Sequence, residues 1–93
     1  RIVKAFNTVF AQVLATGGDF GADGTVPVYV AGDDAEAREI VRRVSAELGF
    51  APVDAGPLRN ARYLEPLAVL NVYFGYGAGL GTDIAPAWIR KAA

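Results

Sequence analysis

Val26-Pro27-Val28-Tyr29-Val30, then Gly32-Asp33-Asp34, then Ala35 through Leu48 closed by Gly49, is the stretch that decides the fold. The first five residues are β-branched or aromatic around a proline near the start, where a missing N–H is tolerated, and they read as a strand. Asp33 or Asp34 can cap the helix that follows, with Glu36 in its first turn and Arg42 and Arg43 further along, in keeping with the helix dipole. Ala37, Ile40, Val41, Val44 and Leu48 form one apolar stripe, and Gly49 sits where a left-handed terminating residue belongs. The unit is a strand, a turn and an amphipathic helix.

Units of the same kind lie on both sides. Upstream, Ile2-Val3-Lys4-Ala5-Phe6 suits a strand buried on both faces. Asn7 or Thr8 then caps a helical run from Val9 to Ala15 that stops at Gly17-Gly18. Downstream, Phe50-Ala51-Pro52-Val53-Asp54 is a third strand, and Pro57 opens a helix running through Leu58 and Ala61 toward Tyr73. Pro66 lies inside that run and should kink it or mark a boundary. Val69 to Tyr76 is apolar nearly all round and wants a covering surface, and Ile84 to Ile89 should lie across the outside. The β-α-β-α-β-α order argues for an α/β, three-layer, partial Rossmann-like domain with a mostly parallel sheet, formed as one unit by residues 1–93.

Composition removes whole classes of chemistry. The 93 residues include no Cys and no His, which excludes a zinc site, a thiol nucleophile and a Ser-His-Asp triad built from this chain. Lys and Arg number 9 against 10 Asp and Glu, so no excess positive charge is present to neutralise phosphates and nucleic acid is not an expected partner. No apolar run approaches the ~20 residues of a membrane span, so no membrane is expected and the chain reads as cytoplasmic. A chain this short buries little over ~60% of its extended surface and forms a marginal core unless something else covers it. Arg1 runs directly into an apolar segment, and the chain is expected to be a fragment of a longer sequence.

Three places could carry chemistry. Asn7 and Thr8 follow a strand, and ligands of open α/β sheets bind beyond the carboxyl ends of strands; simple helix capping is the alternative reading. Asp54-Ala55-Gly56-Pro57-Leu58-Arg59-Asn60-Ala61-Arg62 also follows a strand and opens a helix, where free N–H groups favour an anion; a carboxylate cap with solvated arginines is its alternative. The glycines of Gly75 to Gly81 do not form a dinucleotide fingerprint. That spacing needs glycine at 80 or 82, where Leu80 and Thr82 stand, and the run follows a helix instead of a strand. Asp33 and Asp34 read as turn and cap, because adjacent carboxylates point different ways.

Taken together, Val3-Lys4-Ala5-Phe6-Asn7-Thr8, Val28 through Ala37, and Leu48-Gly49-Phe50 with Val53 through Glu65 resemble the C-terminal portion of an NADP-dependent oxidoreductase family. That family includes the reductases of the deazaflavin coenzyme and the dinucleotide-binding domain of the membrane metalloreductases. The resemblance implies a Rossmann-type enzyme passing hydride between NADP(H) and a flavin- or deazaflavin-like acceptor, with the glycine-rich fingerprint upstream of the segment seen here. It further implies cofactor-binding roles for Asn7, Thr8 and Leu58, with Asn60 and Arg62 beside them. The chain alone is then expected to be inactive. The non-enzymatic alternative is a self-associating α/β module, a homo-oligomer or dimer joined through its apolar C-terminal helix or its strand edges. A small anion on the Gly56-Pro57 helix start is a third reading.

Overall fold

A computed structural model describes residues 1–91. Strand β1 (Val3–Lys4) is followed by helix α1 (Ala11–Thr16), strand β2 (Pro27–Gly32), helix α2 (Ala35–Glu47), strand β3 (Ala51–Gly56) and helix α3 (Ala61–Val72). The sheet order is β1-β2-β3, so β2 is the only strand paired on both edges. It runs parallel to β3, from Pro27 opposite Ala51 to Val30 opposite Asp54, with an irregularity between Val30 and Ala31. Against β1 it runs antiparallel, Val3 facing Gly32 and Lys4 facing Ala31, and the sheet is therefore mixed.

Alternation along β2 builds the three layers. Val26, Val28 and Val30 point to one face, where they pack with Val9, Phe10 and Val13 from the α1 region, with Phe50, and with Val41 of α2. Tyr29 and Ala31 point to the other, against Leu64 and Leu67 of α3 and Ala55 of β3. The first cluster is the larger core. Gly49 takes the left-handed conformation (φ 92°) that stops α2 and returns the chain to the sheet. After α3, a single π turn over Tyr73–Gly77 brings Gly75 against the Phe10 ring, so close that a Cβ would stand 2.7 Å from Phe10 Cζ.

Several elements depart from the sequence expectations. The first strand covers two half-buried residues, not five fully buried ones, and Ile2 is exposed, because β1 is an edge strand with one uncovered side. Helix α1 starts after Phe10 with no side-chain cap, so neither Asn7 nor Thr8 caps it. Helix α2 carries the expected cap, Asp34 Oδ1 accepting the Ala37 N–H at 3.1 Å. Its buried side, however, is centred on Ala37, Val41 and Ser45. Ile40, Val44 and Leu48 are 47%, 47% and 58% exposed, because only three strands lie beneath the helix. Leu58–Asn60 forms a separate 3-10 turn, after which α3 passes through Pro66 as one element. Val69–Tyr76 is mostly exposed, with Asn71 and Gly75 alone buried among its residues.

Phe50 stands edge-on to Phe6 with ring centroids 5.9 Å apart and joins the main core. Phe50→Ala is expected to lower the unfolding free energy by about 3–5 kcal/mol, read as a shift of the urea midpoint at unchanged slope.

Candidate functional site

Site geometry starts from strand direction. Because β1 is antiparallel to β2, its carboxyl end points away from the carboxyl ends of β2 and β3. The expectation that Asn7 and Thr8 share one strand-end crevice with Leu58, Asn60 and Arg62 rests on parallel strands and does not hold within this chain. The candidates divide into two groups.

The first group is the corner after β1. Phe6 holds a positive φ of 64°, the only such non-glycine residue among those described, and an aromatic side chain there costs of order 1–3 kcal/mol unless its surroundings enforce it. The Phe50 ring and the neighbouring core supply that enforcement. Past this corner the Asn7 amide turns inward and its Nδ2 donates to the Leu64 carbonyl at 2.9 Å. Its Oδ1 is buried and accepts from nothing among the described residues. Thr8 is buried, and its carbonyl accepts from Nδ2 of Asn71, itself only 7% exposed, at 3.0 Å. Two asparagines, Asn7 and Asn71, therefore fasten the corner to α3. Sequence reasoning singled out Asn7 but passed over Asn71, whose signal was an amide in an otherwise apolar helix run.

The second group is the turn after β3. The Leu58 N–H donates to Asp33 Oδ1 at 3.0 Å and the Gly56 N–H to Asp54 Oδ1 at 2.8 Å. The N–H groups that would attract an anion are thus already bonded to carboxylates, which repel one, and the small-anion reading fails there. Asp33, which sequence reasoning read as a turn or cap residue, is the tie between the β2 and β3 ends. Asn60 Nδ2 donates to the Ala55 carbonyl at 2.7 Å, and the Arg62 guanidinium lies 5.8 Å from the centre of the Tyr63 ring. Arg38 stands with Nε 3.3 Å from Asp54 Oδ1, Arg1 pairs with Asp34 at 2.9 Å, and Lys4 pairs with Glu65. No cluster of three or more acidic residues able to hold a metal ion occurs among the described residues. Nor does any described helix have the length and apolarity to cross a membrane.

No family model matches the chain. Comparison with curated proteins finds reductases. The chain is 39% identical over 71 residues to Metalloreductase STEAP3 of Rattus norvegicus, an alignment covering 74% of this chain and 14% of that protein. It is 36% and 34% identical over 76 residues to Metalloreductase STEAP2 of Homo sapiens and of Mus musculus, covering 80% of this chain and 15% of each relative. The chain thus spans about one seventh of the length of these relatives. It is a distant and partial homologue of the STEAP metalloreductases, an oxidoreductase group.

Asp34, the cap of α2, carries a lowered carboxyl. The Ala37 N–H holds it below the usual carboxylate range, and the Arg1 guanidinium adds to this. Its stabilising contribution is complete above the unfolded value of 3.8 and is lost as pH falls through the lower folded value. Asn caps a helix as well as Asp but does not titrate. In urea unfolding at stepwise lower pH, the stability difference between wild type and Asp34→Asn is expected to shrink from about pH 4 downward.

Proposed function

We propose that this chain is the C-terminal part of an NADP-binding domain in an NADPH-dependent oxidoreductase, moving hydride between NADP(H) and a flavin- or deazaflavin-like acceptor. The observation that carries the reading is the likeness to metalloreductases over three quarters of the chain. The α/β layering and the strained Phe6-Asn7-Thr8 corner support it.

The chain's own groups fit one end of the dinucleotide and refuse the other. The buried, unpartnered Asn7 Oδ1 is an acceptor suited to the carboxamide N–H of a nicotinamide. Its Nδ2 bond to Leu64 fixes which way that oxygen points. Thr8 and Asn71 hold the backbone of the same corner, so Thr8 acts here through its carbonyl. The ends of β2 and β3 present Asp33 and Asp54, which would repel a pyrophosphate, so that moiety falls to a segment other than these turns. When bound, NADPH supplies the hydride. What this chain would contribute is orientation of the ring and an apolar wall from the half-buried Phe6, backed by Phe50 in the core. Leu58, Asn60 and Arg62 belong, on this reading, to the acceptor side.

The test uses the longer protein that the reading requires. It should bind NADPH in titration calorimetry, Asn7→Ala should weaken binding about tenfold, and the isolated 93-residue chain should bind weakly or not at all. A longer protein with neither NADPH binding nor a cofactor-dependent absorbance change overturns the proposal.

A second reading, compatible with the first, is self-association through the α3 surface. Val69 and Tyr73 on this helix and turn are more than half exposed, and Leu70 and Phe74 stand beside them. The β3 edge is a poorer route. Ala51 donates to Val26, so the neighbouring Pro52 faces outward with no N–H to offer, and the Gly56 N–H is already bonded to Asp54. Sedimentation at micromolar concentration should show a dimer that Val69→Glu with Tyr73→Glu converts to monomer. A wild-type chain that sediments as monomer removes this reading.

A further inference from the structure

Helix α3 and the C-terminal segment do not close over the sheet. Between them runs a cleft of about 550 Å³, within the roughly 300–1,000 Å³ usual for small-molecule sites. Its floor is the α3-side face of β2 and β3, with Tyr29 beside Val53, which stays 39% exposed. Asn60 and Tyr63 line it from the start of α3, and Trp88 and Arg90 from the C-terminal segment.

The walls are held in place. The Tyr29 hydroxyl donates to the Pro86 carbonyl at 2.9 Å, which seats the C-terminal segment on the sheet, and Trp88 stands edge-on to the Tyr29 ring at 5.5 Å. Asn60 is oriented by its bond to Ala55, which leaves its Oδ1 as an acceptor. Trp88 and Tyr63 are nonetheless 71% and 65% exposed, large aromatic surfaces lining one cleft. Two exposed aromatic side chains lining one cleft over an apolar floor suit a flat ring system, and Arg90 gives that ring a charge to satisfy.

We infer that this cleft is a binding site for a planar aromatic anion, a fused-ring carboxylate or sulfonate, lying against Tyr63 and Trp88 with its acid group toward Arg90. The site shares only Asn60 with the residues singled out above and does not depend on the NADPH reading, since its test uses the 93-residue chain without dinucleotide.

Trp88 is the chain's single tryptophan, so its emission reports directly on the cleft. Anthraquinone-2-carboxylate, titrated with inner-filter correction, should quench that emission saturably, and the neutral anthraquinone-2-carboxamide should bind about tenfold more weakly. Arg90→Gln should weaken the carboxylate to the level of the carboxamide while leaving the carboxamide unchanged. Tyr63→Ala should weaken both about fivefold. Both positions are exposed, so these variants leave the core untouched. Quenching that rises linearly without saturation overturns the proposal, and so does equal affinity for the two probes or an unaltered carboxylate affinity in Arg90→Gln.

Discussion

Strand β2 is the constraint on which the rest of the molecule depends. It alone has neighbours on both edges and packed layers on both faces, and Val26, Val28 and Val30 are almost wholly removed from water. Every other element is placed by its relation to this strand. Helices α1 and α2 cover the valine side, α3 covers the Tyr29 and Ala31 side, and β1 and β3 complete the ladder. Both core clusters draw on this strand, so loosening it loosens both.

The central strand and helix were legible in the sequence because local chemistry and tertiary position agree there. The Asp34 cap, the Gly49 stop and the β-branched run from Val26 to Val30 each have a local cause that packing did not override. The direction of β1 was not legible. A two-residue edge strand carries no periodicity, and its antiparallel pairing depends on partners more than twenty residues away. The exposed Ile40, Val44 and Leu48 are a different kind of case. Their spacing correctly marks an apolar helix face, but how much sheet lies under that face is a property of the assembly and not of the helix.

The candidate site was half readable for the same reason. Asn7 stood out because a polar residue closes an apolar strand, and the structure gives it a buried bond to Leu64 and a free acceptor. The Gly56-Pro57 turn stood out for its backbone, yet its N–H groups are taken by Asp33 and Asp54. Asp33 lies twenty-five residues from the amide it binds, and no local pattern signals such a pairing. Asn71 reaches sixty-three residues back to Thr8. Long-range amide and carboxylate bonds of this kind set the geometry of the corners while leaving little trace in the sequence.

Pro52 gives the sheet a polarity. On the β3 side the ladder meets a residue with no hydrogen to share, followed by an amide already committed to its own chain, whereas β1 offers a short open margin. Growth of the sheet therefore meets more obstacles at β3 than at β1. A strand joining this molecule, whether from the same polypeptide or another, forfeits one ladder bond at Pro52 if it chooses the β3 side, a bias written into the backbone before any side chains are compared.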